Sequence, residues 1–118
     1  MKYMFLIYTD PALAASATPE AIQANMAAYF AFDAEVRERG IHVSGDGLHE
    51  PSAATTVRKA DSKIVTTDGP FAETKEYLGG YYILDCKNLD EAVEWAAKIP
   101  GVEFGSIEIR PVAVYDQA

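Results

Sequence analysis

The sequence has little of what several protein classes require. It holds one cysteine in 118 residues, which excludes a disulfide within the chain and fits a reducing compartment. Its apolar runs have the length of strands and fall far short of the roughly 20 residues that cross a membrane as a helix. Residues 1–3 lead directly into a strand pattern, without the regions of a signal peptide. We therefore expect a cytoplasmic, bacterial-type protein with no membrane partner.

Positive charge is also scarce. Ten Lys and Arg residues stand against 18 Asp and Glu residues, which gives a formal net charge of −8. Nucleic-acid binding requires a basic surface, so we expect no nucleic-acid partner. The single cysteine and the two histidines, His42 and His49, lack the spacing of a metal motif. We therefore expect no metal site.

What is present fits one globular domain over residues 1–118. Apolar residues make up 49% of the chain and charged residues 24%, which is ordinary for a folded protein of this size. Folding buries roughly two-thirds of the surface of such a chain, so one core can suffice.

The apolar spacing predicts six strands and two helices. The strands are expected at residues 2–8, 41–48, 55–59, 63–67, 81–85 and 106–110. The first helix runs from Pro19 to Arg39 and the second from the Asn88 cap to the residue before Pro100. Without the hairpin of residues 55–67, the order is β-α-β-β-α-β. That is the ferredoxin-like order of an α+β protein, with two helices on one face of an antiparallel sheet.

Each helix is expected to bury one apolar stripe. The stripe of the first helix is Ile22, Met26, Tyr29, Phe30 and Val36. The stripe of the second helix is Leu89, Val93, Ala96 and either Trp95 or Ala97. The other face of the sheet would leave an apolar patch exposed, formed by alternate residues of the first strand with Tyr81 or Ile83. Because two such sheets can cover each other about a twofold axis, we predict a homodimer.

The segment DGPFAETKE, residues 68–76, contains the first candidate site. Asp68, Glu73 and Glu76 are close in sequence, and crowded carboxylates raise one another's pKa, which suits proton transfer. Phe71 can anchor the loop in an apolar pocket. The alternative is a tight Gly-Pro turn whose charged groups stay in water.

Further candidates lie on the strands. His42 can serve as a proton shuttle or simply pack, and Arg110 can hold a carboxylate through two hydrogen bonds. Gly45-Asp46-Gly47 is interpreted as a turn or bulge, because it lacks the Lys-Ser/Thr of a phosphate loop. Five tyrosines either line a pocket for an aromatic or acidic small molecule or form the dimer core: Tyr3, Tyr8, Tyr29, Tyr81 and Tyr82.

The segment VTTDGPFAETKEYLGGYY, from Val65, closely resembles the YCII-related family, in the branch named for its Asp-Gly-Pro-Phe motif. The resemblance continues nearly end to end through KYMFLIYTD, VSGDGL, ATTVR, NLDEAVEWAAKIP and GSIEIRPV. It implies a dimeric α+β barrel of ferredoxin-like subunits without an established activity. Another branch carries a histidine near the start of the first helix, proposed with an aspartate as a catalytic pair. The helix from Pro19 to Arg39 has no histidine, so that pair is not carried over.

Two functional hypotheses follow. The first is a cofactor-independent small-molecule enzyme or binder whose cleft lies between sheet and helices, under the loop of residues 68–76, with Asp68 or Glu73 carrying the proton. The residues expected to contact its ligand are Phe71, Lys75, Tyr82, Arg110 and His42. The second is a non-catalytic sensor or protein-interaction module in which the same loop shapes an interface.

Overall fold

A four-stranded antiparallel sheet forms the centre of the molecule. The computed structural model describes residues 1–115; residues 116–118, the end of the predicted domain, lie outside the described part. The strands are β1 (Lys2–Thr9), β2 (His42–Gly47), β3 (Thr55–Ala60), β4 (Lys63–Asp68), β5 (Tyr77–Asp85) and β6 (Gly105–Pro111). The sheet has the order β2-β5-β1-β6, and β3 and β4 form a separate hairpin. With that hairpin set aside, this is the ferredoxin-like order, and the predicted α+β fold is confirmed.

Three helices accompany the sheet. They are α1 (Pro11–Ala15), α2 (Pro19–Glu38) and α3 (Leu89–Lys98), and short 3₁₀ turns occupy Pro51–Ala53 and Pro100–Phe104. In residues 1–115 no helix has the length and apolar character that crossing a membrane would demand.

Side-chain caps fix where the helices begin. The Thr18 hydroxyl accepts a hydrogen bond from the Ala21 N–H at 3.1 Å, and the Asn88 side chain accepts one from the Glu91 N–H at 3.0 Å. Both caps satisfy a donor that the first turn leaves free. The short helix α1 was not predicted, although Asp10 caps it and a proline follows, which is the same signal.

The core lies between the helices and one face of the sheet. The odd-numbered residues of β1, Tyr3, Phe5 and Ile7, are buried on this face. Phe5 lies opposite Tyr82 of β5 in the antiparallel register. The helices and connections add Phe32, Val36, Ala92, Trp95, Ala96 and Ile99.

The helical stripes differ from those predicted. Val36 is buried as predicted, and Tyr29 packs against the core. Ile22, Met26 and Phe30 are instead 50%, 58% and 72% exposed, and α2 buries Phe32, which was not predicted. The largest buried side chains of the two helices meet in the core, where the Phe32 ring packs edge-on against Trp95 at 6.1 Å.

Helix α3 is also rotated relative to the prediction. It buries Ala92, Trp95 and Ala96 and leaves Leu89 and Val93 about half exposed. Trp95 and Ala96 were predicted to be buried, whereas the predictions for Leu89 and Val93 were wrong.

Strand β5 starts four residues before the predicted position, at Tyr77, so Gly79 and Gly80 lie inside it. A Cβ atom on Gly80 would come within 2.9 Å of the Asp46 carbonyl oxygen in β2. Gly80 therefore marks a close approach between two backbones, and Gly79 lies against the Thr9 side chain.

The opposite face of the sheet, called the outer face here, carries the alternate residues of β1. Met4 pairs with Ile83 and Leu6 with Tyr81 across the β1–β5 ladder. These four side chains and Tyr8 are half-buried in the single chain. The apolar patch therefore consists of the even-numbered set, and its pairing with a second copy stays a prediction.

The hairpin of β3 and β4 projects from the rest of the molecule. With the returning segment it forms what we call the arm, residues 55–71. The Thr56 hydroxyl and the Arg58 side chain donate hydrogen bonds to the carbonyls of Gly69 and Phe71 at 2.8 and 3.1 Å. The radius of gyration is 16.5 Å, against about 13.5 Å for a compact chain of this length. The arm exposes apolar side chains at Val57, Ile64, Val65 and Phe71.

Candidate functional site

A cavity of about 470 Å³ lies between α2 and one end of the sheet. This volume is in the range of small-molecule sites. Its walls come from β1, β2 and β5, from α2, and from the turn after α3, and they include Ile7, Ile22, Asn25, Tyr29, Tyr82 and Phe104.

Glycines at sheet positions that face the helices create this space. Gly45 lies opposite Tyr82, and Gly47 lies opposite Gly80, in the β2–β5 ladder. Tyr82 faces the helices because it pairs with buried Phe5. A Cβ atom on Gly45 would lie 2.7 Å from the Tyr82 ring, whereas one on Gly47 would meet no atom within 4 Å. Gly47 is therefore an exposed part of the cavity wall, where a side chain would meet no neighbouring atom.

Two tyrosine hydroxyls are the principal polar groups of the cavity. Burial raises the pKa of Tyr29, and the backbone of Gly101 opposes this shift by hydrogen bonding. Burial, followed by the negative charge of Asp33, raises the pKa of Tyr82 to about 12. Both phenols are therefore protonated near neutral pH. Among the tyrosine hydroxyls in residues 1–115, that of Tyr81 donates a hydrogen bond to another side chain, Asp46.

A polar cluster of Asp33, Arg37 and His42 lies next to Tyr82. Arg37 Nε donates a hydrogen bond to Asp33 Oδ2 at 2.7 Å. Arg37 Nη2 lies 3.4 Å and Asp33 Oδ1 3.8 Å from His42 Nε2. The His42 side chain is 11% exposed, and its ring meets Tyr82 edge-on at 6.2 Å. His42 is not among the residues that line the cavity, so it can act on a ligand there only through Tyr82.

Asp46 borders the cavity but turns its carboxylate away from it. In the register Asp46 lies opposite Tyr81, and Tyr81 lies opposite Leu6 on the outer face. The Tyr81 hydroxyl donates to Asp46 Oδ2 at 3.0 Å. Since the other lining residues are uncharged, the part of the chain that the structure describes directs no charged side chain into the cavity.

The loop of residues 68–76, which was predicted to cover the cleft, does not lie at the cavity. None of residues 68–76 lines the cavity; the wall beside α1 is formed by Ala14 and Ala17. Asp68, Glu73 and Lys75 are exposed. The carboxylate of Glu76 accepts a hydrogen bond from the Ser106 hydroxyl at 3.0 Å. The assignment of Asp68 and Glu73 as proton carriers stays a prediction.

The remaining predicted ligand residues are also dispersed. Phe71 is 77% exposed on the arm. Arg110 lies opposite Met4, hence on the outer face, and its Nε donates to Glu108 at 2.7 Å. The structure thus brings Tyr82 to the cavity and His42 behind it, and it brings neither Phe71, Lys75 nor Arg110 there.

Sequence reasoning missed the glycines and Asn25. Gly45-Asp46-Gly47 was interpreted as a turn or bulge, and Gly79-Gly80 was placed just before the strand predicted at residues 81–85. The signal that was available is their spacing: Gly45 and Gly47 alternate in a strand pattern, which places both on one face. Within residues 1–115, no three His, Cys, Asp or Glu side chains are grouped so that they could hold a metal ion.

The chain is similar to a curated bacterial protein in sequence and to a solved enzyme structure in fold. An uncharacterised protein of Rhizobium meliloti (strain 1021) is 35% identical over 117 residues, which cover 98% of this chain and 94% of that protein. The solved structure of 5-chloro-2-hydroxyhydroquinone dehydrochlorinase from Burkholderia phenoliruptrix AC1100, in complex with 2,5-dihydroxybenzoquinone, aligns over 96% of this chain and 94% of its own. Its TM-score is 0.53 at 14% identity, which is a likeness of fold.

The family model for the YCII-related domain matches residues 1–116. This match covers nearly the whole chain and agrees with the motif around Asp68 to Phe71. The chain belongs to the YCII-related family.

Proposed function

We propose that this protein binds a small molecule in the cavity between α2 and the sheet and acts on it without a cofactor. The observation that carries the proposal is the cavity itself. It has the volume of a ligand site, two protonated phenols on its wall, and a sheet wall that includes Gly45, Gly47 and Gly80.

The two hydroxyls supply the chemistry in this proposal. A protonated phenol donates a hydrogen bond to a ligand oxygen and stabilises negative charge that develops there during a reaction. Tyr29 and Tyr82 stand on different elements, a helix and a strand, so their hydroxyls can hold one ligand between them. Arg37 and Asp33 keep His42 in place beside Tyr82.

The fold neighbour supports the proposal that the ligand is a ring compound. Its title names an enzyme that acts on a chlorinated hydroxyhydroquinone and a complex with a benzoquinone. At 14% identity that reaction is not transferred here; what is taken over is that a chain of this shape accommodates a single substituted ring.

A fragment screen followed by amide NMR tests the proposal. Ring compounds that bind in the cavity should shift the backbone amide signals of Gly45, Gly47, Gly80 and Gly101. The substitution Gly47→Leu adds bulk where a Cβ meets open space and should abolish these shifts. The control Ala31→Leu introduces the same side chain on the exposed surface of α2 and should leave them unchanged.

Either of two results would refute this assignment. One is a screen in which no ring compound shifts the cavity glycines. The other is a set of shifts that persist in Gly47→Leu, which would place the binding site outside the cavity.

A homodimer formed through the outer face is part of the proposal. Met4, Leu6, Tyr8, Tyr81 and Ile83 form a half-buried apolar surface that a second sheet would cover. The variant Leu6→Arg should sediment as a monomer, whereas Leu13→Arg, on the exposed side of α1, should remain a dimer. A monomeric wild type would exclude this pairing. We place the dimer in the cytoplasm, which the buried free thiol of Cys86 supports.

A protein-interaction module is the second candidate function, and the arm favours it. Two-stranded hairpins are marginally stable in water, yet this one exposes Val57, Ile64 and Phe71 at 60%, 66% and 77%. Replacing Ile64 and Phe71 by serine should weaken self-association or partner binding while the cavity still binds its ring compound. If association is unaffected, the arm is not an interface and this second function fails.

A further inference from the structure

The charge of the cavity's ligand can be inferred from its walls, and the inference rests on the proposed function. The lining side chains are apolar, aromatic, hydroxyl or amide groups. Asp46 points to the outer face and is bonded to Tyr81. Arg37, the nearest cation to Tyr82, is held by Asp33 at 2.7 Å, so its charge is already paired.

A charged group placed against these walls would lose part of its hydration without gaining a partner of opposite charge. An unpaired charge is costly to remove from water, whereas a neutral polar group needs only hydrogen bonds. The net charge of −8 adds a long-range field that repels anions in particular.

The polar groups that remain suit oxygen atoms on a flat ring. Tyr29 and Tyr82 contribute hydroxyl groups to the lining, and the glycines of β2 and β5 put no side chain on their part of the wall. Asn25 Nδ2 donates to the Pro100 carbonyl at 2.9 Å, which fixes the amide at the rim of the cavity.

We propose that the cavity selects an uncharged, planar ring compound that carries a carbonyl or hydroxyl oxygen, and that it discriminates against carboxylates, phosphates and ammonium groups. The hydroxyls of Tyr29 and Tyr82 hold the oxygen, and the glycine surface of β2 and β5 contacts the ring. A carboxylate-bearing aromatic acid, which the Arg110 assignment anticipated, does not fit, because Arg110 lies on the outer face and is bonded to Glu108.

Three probes of one shape and different charge test this inference. They are 4-ethylphenol, which is neutral, tyramine, which is a cation, and 4-hydroxyphenylacetate, which is an anion. Titration of each, followed through the amide signals of Gly47 and Gly80, gives three dissociation constants. We expect 4-ethylphenol to bind about tenfold more tightly than either charged probe, since unpaired charge is disfavoured in the cavity.

A variant that places a cation at the cavity should gain affinity for the anionic probe. Gly47→Arg introduces a cation where a Cβ meets open space, and Gly47→Gln is the uncharged control. Gly47→Arg should bind 4-hydroxyphenylacetate more tightly than 4-ethylphenol. Gly47→Gln should still bind 4-ethylphenol more tightly. Folding of both variants is verified by the dispersion of their amide spectra.

The outcomes separate this inference from the proposed function. If either charged probe binds as tightly as 4-ethylphenol, or if Gly47→Arg and Gly47→Gln rank the probes alike, the charge selectivity is refuted while the cavity remains a binding site. If none of the probes shifts the cavity glycines, the proposed function fails and this inference fails with it.

Discussion

The body of the molecule, which is every described residue outside the arm, differs from the arm in how far its side chains are buried. In the body, Phe5, Val36, Leu84 and Ile99 have no exposed surface, and sheet and helices share one core. In the arm, every residue of β4 is exposed, and the hairpin bonds mainly to itself. The comparison teaches that burial in the body supplies most of the free energy of folding, whereas the arm buries few side chains and is held by local hydrogen bonds such as Thr56 to Gly69 and Arg58 to Phe71.

Core and arm substitutions should differ most in their effect on stability. Leu84→Ala removes a fully buried side chain and should lower the free energy of unfolding by about 2–5 kcal/mol. Ile64→Ala removes a side chain that is 66% exposed and should change it by about 0.5 kcal/mol or less. Urea denaturation of both variants makes the comparison. Equal losses would mean that the arm belongs to the same cooperative core.

Hydrogen exchange should divide the chain at the same boundary. Amides of β1 and β5 pair on both sides in the sheet and should exchange through global unfolding. Amides of β3 and β4 pair only with each other and should exchange at least about tenfold faster. Arm amides as protected as those of β1 would show that a partner or a second copy covers the arm.

Loss of the cap of α3 should lower the free energy of unfolding by an intermediate amount. The Asn88 side chain accepts from the Glu91 N–H, so Asn88→Ala should cost about 1 kcal/mol. Asn88→Asp retains an acceptor and should cost less. Thermal unfolding of the two variants measures the difference, and an Asn88→Asp variant as unstable as Asn88→Ala would contradict the capping role.

The high pKa of Tyr82 predicts a small loss of stability at alkaline pH. The folded state keeps this proton up to a pKa of about 12, whereas the unfolded chain releases it near the ordinary value of 10.0. Above pH 10 the unfolded state therefore binds fewer protons, and stability falls as the pH rises from 10 to about 12. Tyr82→Phe should show a smaller decline over this range than the wild type. Identical slopes would contradict the buried position of the hydroxyl.

The fold could be predicted because its signals are local. The continuous apolar run of β1, the caps at Thr18 and Asn88, and the turn at residues 60–62 each specify an element, and together they specify the ferredoxin-like order. The rotation of α2 could not be predicted, because Ile22, Met26 and Phe30 have helical spacing as good as that of the residues that are buried. The buried face is the one on which Phe32 meets Trp95, a residue far from it in sequence.

The candidate site was harder to predict for a related reason. Composition and motif pointed to the carboxylates of residues 68–76, which are conspicuous in sequence. The cavity depends instead on missing side chains at Gly45, Gly47 and Gly80, which only the register between β2 and β5 brings together. Tyr29 was recognised as one of five tyrosines, but nothing in the sequence separated it from Tyr3, which is in the core, or from Tyr8, which is on the outer face.

The most direct test of the account is the titration of wild type and Gly47→Leu with 4-ethylphenol, followed through the amide of Gly80. The account predicts saturable shifts in the wild type and none in Gly47→Leu, with Ala31→Leu behaving as the wild type. Saturable shifts of equal size in Gly47→Leu, or no shift in the wild type, would contradict the assignment of the cavity as the binding site.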